Sequence, residues 1–285
     1  YLLTCWATLP IDAATRARYT AEAAALRAAT EAHGWDGAWY WRATTDAGLA
    51  LGAAARAEGR IFLNAQTWAT LSGLAAPDRA QQALAAARQQ LYTDYGALLL
   101  FPAYSVPDPD VGYLTRYAPG TRENGGVYAH AACWAVLAER QAAGAGAAYD
   151  LWRRMCPPRR AAAPDVYAAE PYVMPGNVNG PLAPRPGQGG WTWYTGAAAW
   201  YLRALVEGVL GVSAGLDGLR VAGDLPAEWD GFRLRRRFRG ATYDIAVRRA
   251  APGETPGRAV DGQPHTGDLL PVAAPGAVVA VAVVV

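Results

Sequence analysis

The sequence predicts a mainly α chain that closes in a β-rich segment, and three observations carry that prediction. Up to about residue 215 the chain runs in Ala-, Leu-, Arg- and Glu-rich stretches with helical spacing of apolar residues. After Gly215 the texture changes to the apolar–polar alternation of strands. Between the helices, short turns alternate with long Pro- and Gly-rich loops, which suits a helical toroid with its long loops at one end. The expected division is a helical unit over 1–215 and a β unit over 216–285.

The first helix is expected over 1–9; because the chain opens inside it, a fragment of a longer protein is expected. Asp12 can cap a second helix over 13–32, since a short carboxylate accepts from the free amides of a first turn. Gly34-Trp35-Asp36-Gly37 reads as a turn into an aromatic segment over 38–43. Helices follow over 64–74, with Trp68 and Leu71 on one face and Gly73 weakening the end, and over 78–92. Residues 102–119 form a long loop, 126–142 and 147–155 are helical, and 157–186 form a second, Pro-rich loop. A helix over 197–210 ends the helical part. Strands are expected over 219–222, 232–238, 242–247 and 278–285.

Composition excludes several classes of function. The chain is 52% hydrophobic, enough for a sizeable core. Net charge is +2 and the basic residues do not cluster, so no nucleic-acid partner is expected. All 26 basic residues are arginine, which excludes lysine Schiff-base chemistry. Cys5, Cys133 and Cys156 are odd in number and irregular in spacing, so neither a disulfide framework nor a zinc site is expected. A reducing cytoplasmic setting follows as an expectation. No apolar run reaches the roughly 20 residues that span a bilayer, and no membrane partner is expected. No metal or organic cofactor is indicated.

Two stretches carry chemistry. Gly189-Gly190-Trp191-Thr192-Trp193-Tyr194-Thr195-Gly196 precedes a helix. A Thr hydroxyl and free amides at a helix start suit an anion. The rings beside them suit a sugar, whose C–H faces stack on aromatics. The same residues could equally be a glycine-rich cap on a core helix. The second stretch is Arg122-Glu123-Asn124-Gly125-Gly126-Val127-Tyr128-Ala129-His130. His130 lies one helical turn beyond the loop, where an imidazole could bond an oxyanion or a sugar hydroxyl, or could be a satisfied core histidine. Glu170-Pro171-Tyr172-Val173, before Asn177 and Asn179, reads as a segment that positions a loop.

Taken together these stretches resemble glycoside hydrolase family 94, which includes cellobiose, cellobionic acid and chitobiose phosphorylases and cyclic β-1,2-glucan synthases. Supporting stretches are Trp35 to Ala43, Gly59 to Gln66 and Pro226 to Phe232, in family order. The resemblance implies part of an (α/α)6 barrel followed by a small C-terminal β domain. It implies inverting phosphorolysis of a β-linked glucosyl disaccharide, with inorganic phosphate as co-substrate and α-glucose 1-phosphate as product. It carries phosphate binding onto His130, Thr195 and Gly196, and acceptor-sugar binding onto Arg122, Glu123 and Tyr117.

One departure bears on activity. The family's general acid is an Asp in a Gly-Asp-Trp-Asn-Asp-like motif that these residues do not contain, and Asp36 sits in a different family element. No catalytic residue is therefore expected within 1–285, and the chain alone is expected to be inactive, with an incomplete barrel. The alternative is a non-catalytic, sugar-binding or scaffold remnant of the family. Arg116 and Arg122 together could pair with an acceptor carboxylate, or Arg116 could be solvated. Family members are often homodimers, an expectation carried for the full-length protein.

Overall fold

The computed structural model describes residues 2–285. The helices are α1 (Leu2–Ala7), α2 (Ala13–His33), α3 (Leu63–Leu71), α4 (Pro77–Leu91), α5 (Ala129–Arg154), the single turns α6 (Pro157–Arg160) and α7 (Pro164–Tyr167), and α8 (Thr195–Arg203). Asp12 caps α2, its Oδ1 accepting from the Thr15 amide at 2.9 Å. Pro77 stands in the first turn of α4, where a missing amide hydrogen costs nothing.

Short strands join these helices: β1 (Ala43–Thr44), β2 (Ala50–Leu51), β3 (Ile61–Phe62), β4 (Tyr92–Thr93), β5 (Gly96–Ala97), β6 (Leu100–Phe101), β7 (Val127–Tyr128), β8 (Asn177–Val178) and β9 (Gly189–Gly190). The C-terminal strands are β10 (Val212–Ala214), β11 (Leu219–Val221), β12 (Gly231–Phe238), β13 (Ala241–Arg248), β14 (Gly257–Val260), β15 (Gln263–Pro264), β16 (Leu269–Leu270) and β17 (Val278–Val284).

The chain as a whole is mixed, 37% helical and 21% strand, so a mainly α description applies only up to Leu210. The expected helices over 126–142 and 147–155 form one element, α5, broken at Gly144. There φ is +81°, a conformation in which glycine alone avoids a side-chain penalty. The last expected helix starts two residues early, at Thr195, and continues as a π-helical turn over Ala204–Val209. Both expected loops carry short structure: a 3-10 turn at Tyr113–Arg116 in the first, and α6, α7 and β8 in the second. Tyr1 of the expected first helix lies outside the described residues.

The helical core gathers on α5. Ala131, Ala132, Ala135 and Val136 are buried against Leu63, Leu91, Leu98 and Val209. Inside it Glu139, 1% exposed, accepts from Arg88 Nε at 2.8 Å and Nη2 at 2.5 Å, and from the Tyr92 hydroxyl at 2.7 Å. A buried carboxylate needs such partners because burial alone would be costly. By contrast α2 buries none of its residues.

The C-terminal strands make two sheets. One has the order β12-β13-β17-β14-β15, antiparallel except for the parallel β13–β17 pair, and the other the order β10-β11-β16. Val212, Leu219 and Val221 of the second pack with Tyr243, Ile245, Val247, Val279, Val281 and Val283 of the first. Strict alternation makes this possible: β13 and β17 bury every second residue. This sheet pair is tied to the helices at the α5 break. Asp224 accepts from Arg140 at 3.0 and 2.5 Å and caps the second half of α5 through the Ala145 amide at 2.9 Å.

Candidate functional site

The site is built on the small sheet β7-β8-β9, with Val127 opposite Val178, Tyr128 opposite Asn177, and Asn177 opposite Gly190. Two of its strands open directly into candidate segments. β7 runs into α5, one residue before His130; β9 runs into Trp191. The Gly176 carbonyl accepts from the Ala129 amide at 3.0 Å, and the Met174 carbonyl from the Tyr194 amide at 3.2 Å. Beneath them Ala129, Met174 and Ala197 form a small buried cluster. The first turns of α5 and α8 are thereby held side by side.

This brings His130, Thr195 and Gly196 together. A Cβ at Gly196 would stand 2.8 Å from His130 Nε2, so the glycine is what lets the imidazole reach the start of α8. Tyr194 precedes that helix without a side-chain cap, and the first-turn amides are unpaired donors at its positive end. Thr195 and Gly196 are exposed. Tyr128 stacks on the imidazole at 5.4 Å and 27°, and Tyr194 meets it edge-on at 5.4 Å and 81°. His130 Nδ1 is buried without a partner. Burial holds the imidazole below its ordinary pKa, so it is neutral at pH 7. Burial, reinforced by a hydrogen bond with Tyr194, pushes the Tyr128 hydroxyl up to about 12.

A second group forms beside the first. The Arg122 guanidinium lies over the Trp191 ring at 3.9 Å and the Tyr117 ring at 4.6 Å. Glu123 is 3.5 Å from Arg122 Nε, close enough for an ion pair but without hydrogen-bond alignment, so both atoms keep capacity for another partner. Asn124, fully buried, fixes the loop: it donates to the Tyr104 and Tyr117 carbonyls and accepts from the Tyr104 amide. The charges of Glu123 and Arg122 reach Tyr128, which links this group to His130. Arg116 lies over the Tyr113 ring at 5.6 Å.

The backbone is strained here. Arg122, Trp191 and Trp193 have φ of +49°, +49° and +60°, positions where a bulky residue costs of order 1–3 kcal/mol. Such strain persists only where surrounding contacts over-determine it.

Several contributors were named in the sequence only as members of their motifs, without these individual roles. Tyr128 and Tyr194 flank the imidazole, and their places inside the two motifs were the only sequence signal of it. Trp191 sits on Arg122, and Asn177, 2% exposed, keeps Oδ1 unpartnered on the sheet floor. Other candidates have local roles. The Asp36 carboxylate is taken by the Ala38, Trp39 and Ala54 amides, and His265 Nε2 pairs with the Leu269 carbonyl. Glu170 accepts from Trp193 Nε1 at 3.0 Å, which ties its segment to the Trp-Thr-Trp loop. No group of three metal-ligating side chains occurs among the described residues, and no helix among them is long and apolar enough to cross a membrane.

Residues 7–211 match the family model described as the glycosyl hydrolase 94 superfamily, catalytic domain. The chain is 35% identical over 249 residues to a solabiose phosphorylase of Paenibacillus borealis, covering 87% of this chain and 32% of that protein. It is 37% identical over 231 residues to an N,N'-diacetylchitobiose phosphorylase of Vibrio proteolyticus, covering 80% and 29%. It is 38% identical over 255 residues to the cyclic beta-(1,2)-glucan synthase NdvB of Rhizobium meliloti, covering 86% and 9%. The chain thus spans about a third or less of the length of these relatives.

Proposed function

Because the chain belongs to the glycosyl hydrolase 94 superfamily, we propose that it forms the phosphate and acceptor side of an inverting glycoside phosphorylase acting on a β-linked glucosyl disaccharide. The observation that carries this reading is the approach of His130 Nε2 to Gly196 at the uncapped start of α8. In this reading the imidazole, the Thr195 hydroxyl and the helix-start amides supply the donors that a bound phosphate dianion requires.

In the reaction, a phosphate oxygen attacks the anomeric carbon while the glycosidic C–O bond breaks. The departing oxygen takes a proton and leaves as the acceptor sugar, and the product is α-glucose 1-phosphate. Phosphate is already a nucleophile, so no carboxylate base is needed to activate water. His130, Thr195 and Gly196 hold it in line with the bond that breaks. Arg122, with Glu123 beside it, faces the acceptor, and Tyr117 and Trp191 supply flat surfaces for its ring. The proton donor is assigned to none of residues 1–285. Its loss would remove a factor of roughly 10²–10⁴ in rate from that proton transfer alone. The fold proposed for the helical part is a portion of an (α/α)6 barrel, with the C-terminal sheets as a separate small domain.

Calorimetric titration with inorganic phosphate and with α-glucose 1-phosphate tests the reading. Binding is expected in the unaltered protein and absent in His130→Ala. Equal binding in both would overturn the phosphate assignment. Phosphate-dependent release of glucose 1-phosphate from cellobiose or cellobionic acid by residues 1–285 alone would overturn the placement of the proton donor outside them.

A further inference from the structure

The two edges of the five-stranded sheet are closed to different degrees. At one edge β15 has two residues and ends in Pro264, which has no amide hydrogen to offer a neighbour. At the other edge β12 runs for eight residues without proline. Among the described residues it pairs with β13 and with no strand on its outer side.

The register fixes which backbone groups of β12 are free. The Arg249 amide donates to the Asp230 carbonyl at 2.9 Å, which makes 230 and 249 a hydrogen-bonded pair. Such pairs recur at every second residue of an antiparallel ladder. Phe232, Leu234, Arg236 and Phe238 therefore turn their amides and carbonyls toward β13. Gly231, Arg233, Arg235 and Arg237 turn theirs toward the open edge.

The same residues carry charge. Five of the seven residues 233–239 are arginine, so the expectation that basic residues do not cluster fails here. Arg233, Arg235 and Arg237 are exposed and share one face of the strand. Arg235 is paired with Asp244 at 2.6 and 3.1 Å. Arg233 and Arg237 have no acidic partner among the described residues. On the opposite face Phe232, Leu234 and Phe238 are only partly buried against the sheet-pair core, and Arg236 Nε is buried without a partner.

A second copy of β12 is a poor occupant of this edge. Pairing the two strands sets arginine opposite arginine, and like charges directly opposite one another destabilise a sheet. A strand with carboxylates in those positions is stabilised instead. Across a hydrogen-bonded pair the Cα atoms stand about 5.5 Å apart, within reach of an arginine–carboxylate pair. The intervening side chains of such a strand fall beside Phe232, Leu234 and Phe238, where apolar residues extend the core.

We propose that the free edge of β12 is a docking site for an extended protein segment of alternating acidic and apolar residues, which adds to the sheet as a further strand. Its carboxylates pair with Arg233 and Arg237, the two arginines without an acidic partner. The edge belongs to a different sheet from the phosphate and acceptor groups, so its role is independent of theirs.

The test is fluorescence anisotropy of the 285-residue protein with a labelled peptide of alternating glutamate and valine, matched to β12 in length, at low salt. Hydrogen exchange is the second readout. Binding is expected, with protection of the Arg233, Arg235 and Arg237 amides. Joint Arg233→Glu and Arg237→Glu substitution should weaken binding roughly ten-fold or more. It should also create binding of the peptide in which lysine replaces glutamate, a swap that a misfolded variant would not show. A peptide with proline in place of valine keeps the charge but cannot pair, and should not bind. Absence of binding by the acidic peptide, or equal binding by the proline peptide, would overturn strand docking. So would binding of duplex DNA as tight as that of the acidic peptide, which would mark a surface for polyanions in general.

Discussion

The three-stranded sheet at the site and the five-stranded sheet near the C-terminus differ in strand length, backbone strain and the company their side chains keep. β7, β8 and β9 have two residues each and are flanked by segments that hold Arg122, Trp191 and Trp193 at positive φ, with His130 Nδ1 and Asn177 Oδ1 left without partners. β12, β13 and β17 have seven or eight residues each, in continuous register, and bury alternate apolar side chains. The long sheet stores stability; the short one stores position. Incomplete polar satisfaction and left-handed backbone are tolerable only where something else, here the packed first turns of α5 and α8, over-determines the geometry.

The sharpest way to break this comparison is to damage the long sheet. Ile245→Ala removes a 2%-exposed side chain from the sheet-pair core, and a loss of about 3 kcal/mol is expected in urea unfolding. Phosphate binding in the folded fraction should survive. A loss under about 1 kcal/mol would mean that the sheet pair is not the store of stability claimed for it.

Asp224→Ala cuts the tie between the two halves. It removes both bonds to Arg140, 15% exposed, and the cap on the second half of α5. The expected cost is about 1–3 kcal/mol, from charge-assisted bonds and a lost cap. A melting curve that stays single and unshifted would show that the tie carries no weight.

Gly196→Ala asks the opposite of the short sheet. φ there is not in the left-handed region, so stability should change by less than about 1 kcal/mol. The added methyl would displace His130 Nε2, and phosphate affinity should fall more than ten-fold. Undiminished binding would show that the imidazole and the helix start do not act together. Trp191→Gly sharpens the strain claim. It removes a residue at φ +49°, so stability should hold or rise by up to about 1 kcal/mol, while oligosaccharide binding weakens several-fold with loss of the ring on Arg122.

The smallest expected effect is on pH dependence. The His130 pKa is lowered by burial, so the unfolded chain takes up its proton first as pH falls. The imidazole therefore contributes stability above roughly pH 6.5, and this contribution declines as pH drops below that value. His130→Gln should flatten this part of the stability profile, measured by melting temperature between pH 5.5 and 8.

Much of this molecule was readable from residue order. The cap at Asp12, the helices around α3 to α5 and the four main strands follow from capping chemistry and from periods of 3.6 and 2. Motif order along the chain was enough to place it in its family. The short strands β7 to β9 were not readable, since two residues carry no period and owe their pairing to the loops they join. The break inside α5 at Gly144 falls in the gap between the expected helices over 126–142 and 147–155, but its capping by Asp224, 80 positions further along, is encoded by no local pattern. The same holds for the site. His130, Thr195 and Gly196 were nameable as motif members, but their convergence required a turn of α5 to be packed against the start of α8. Arg122 and Trp191, in contact here, lie about seventy positions apart in the chain, and only folding brings them together. Local propensity and periodicity reach a few turns along the chain; contact between distant side chains is decided by packing, and that is where the phosphate and sugar geometry resides.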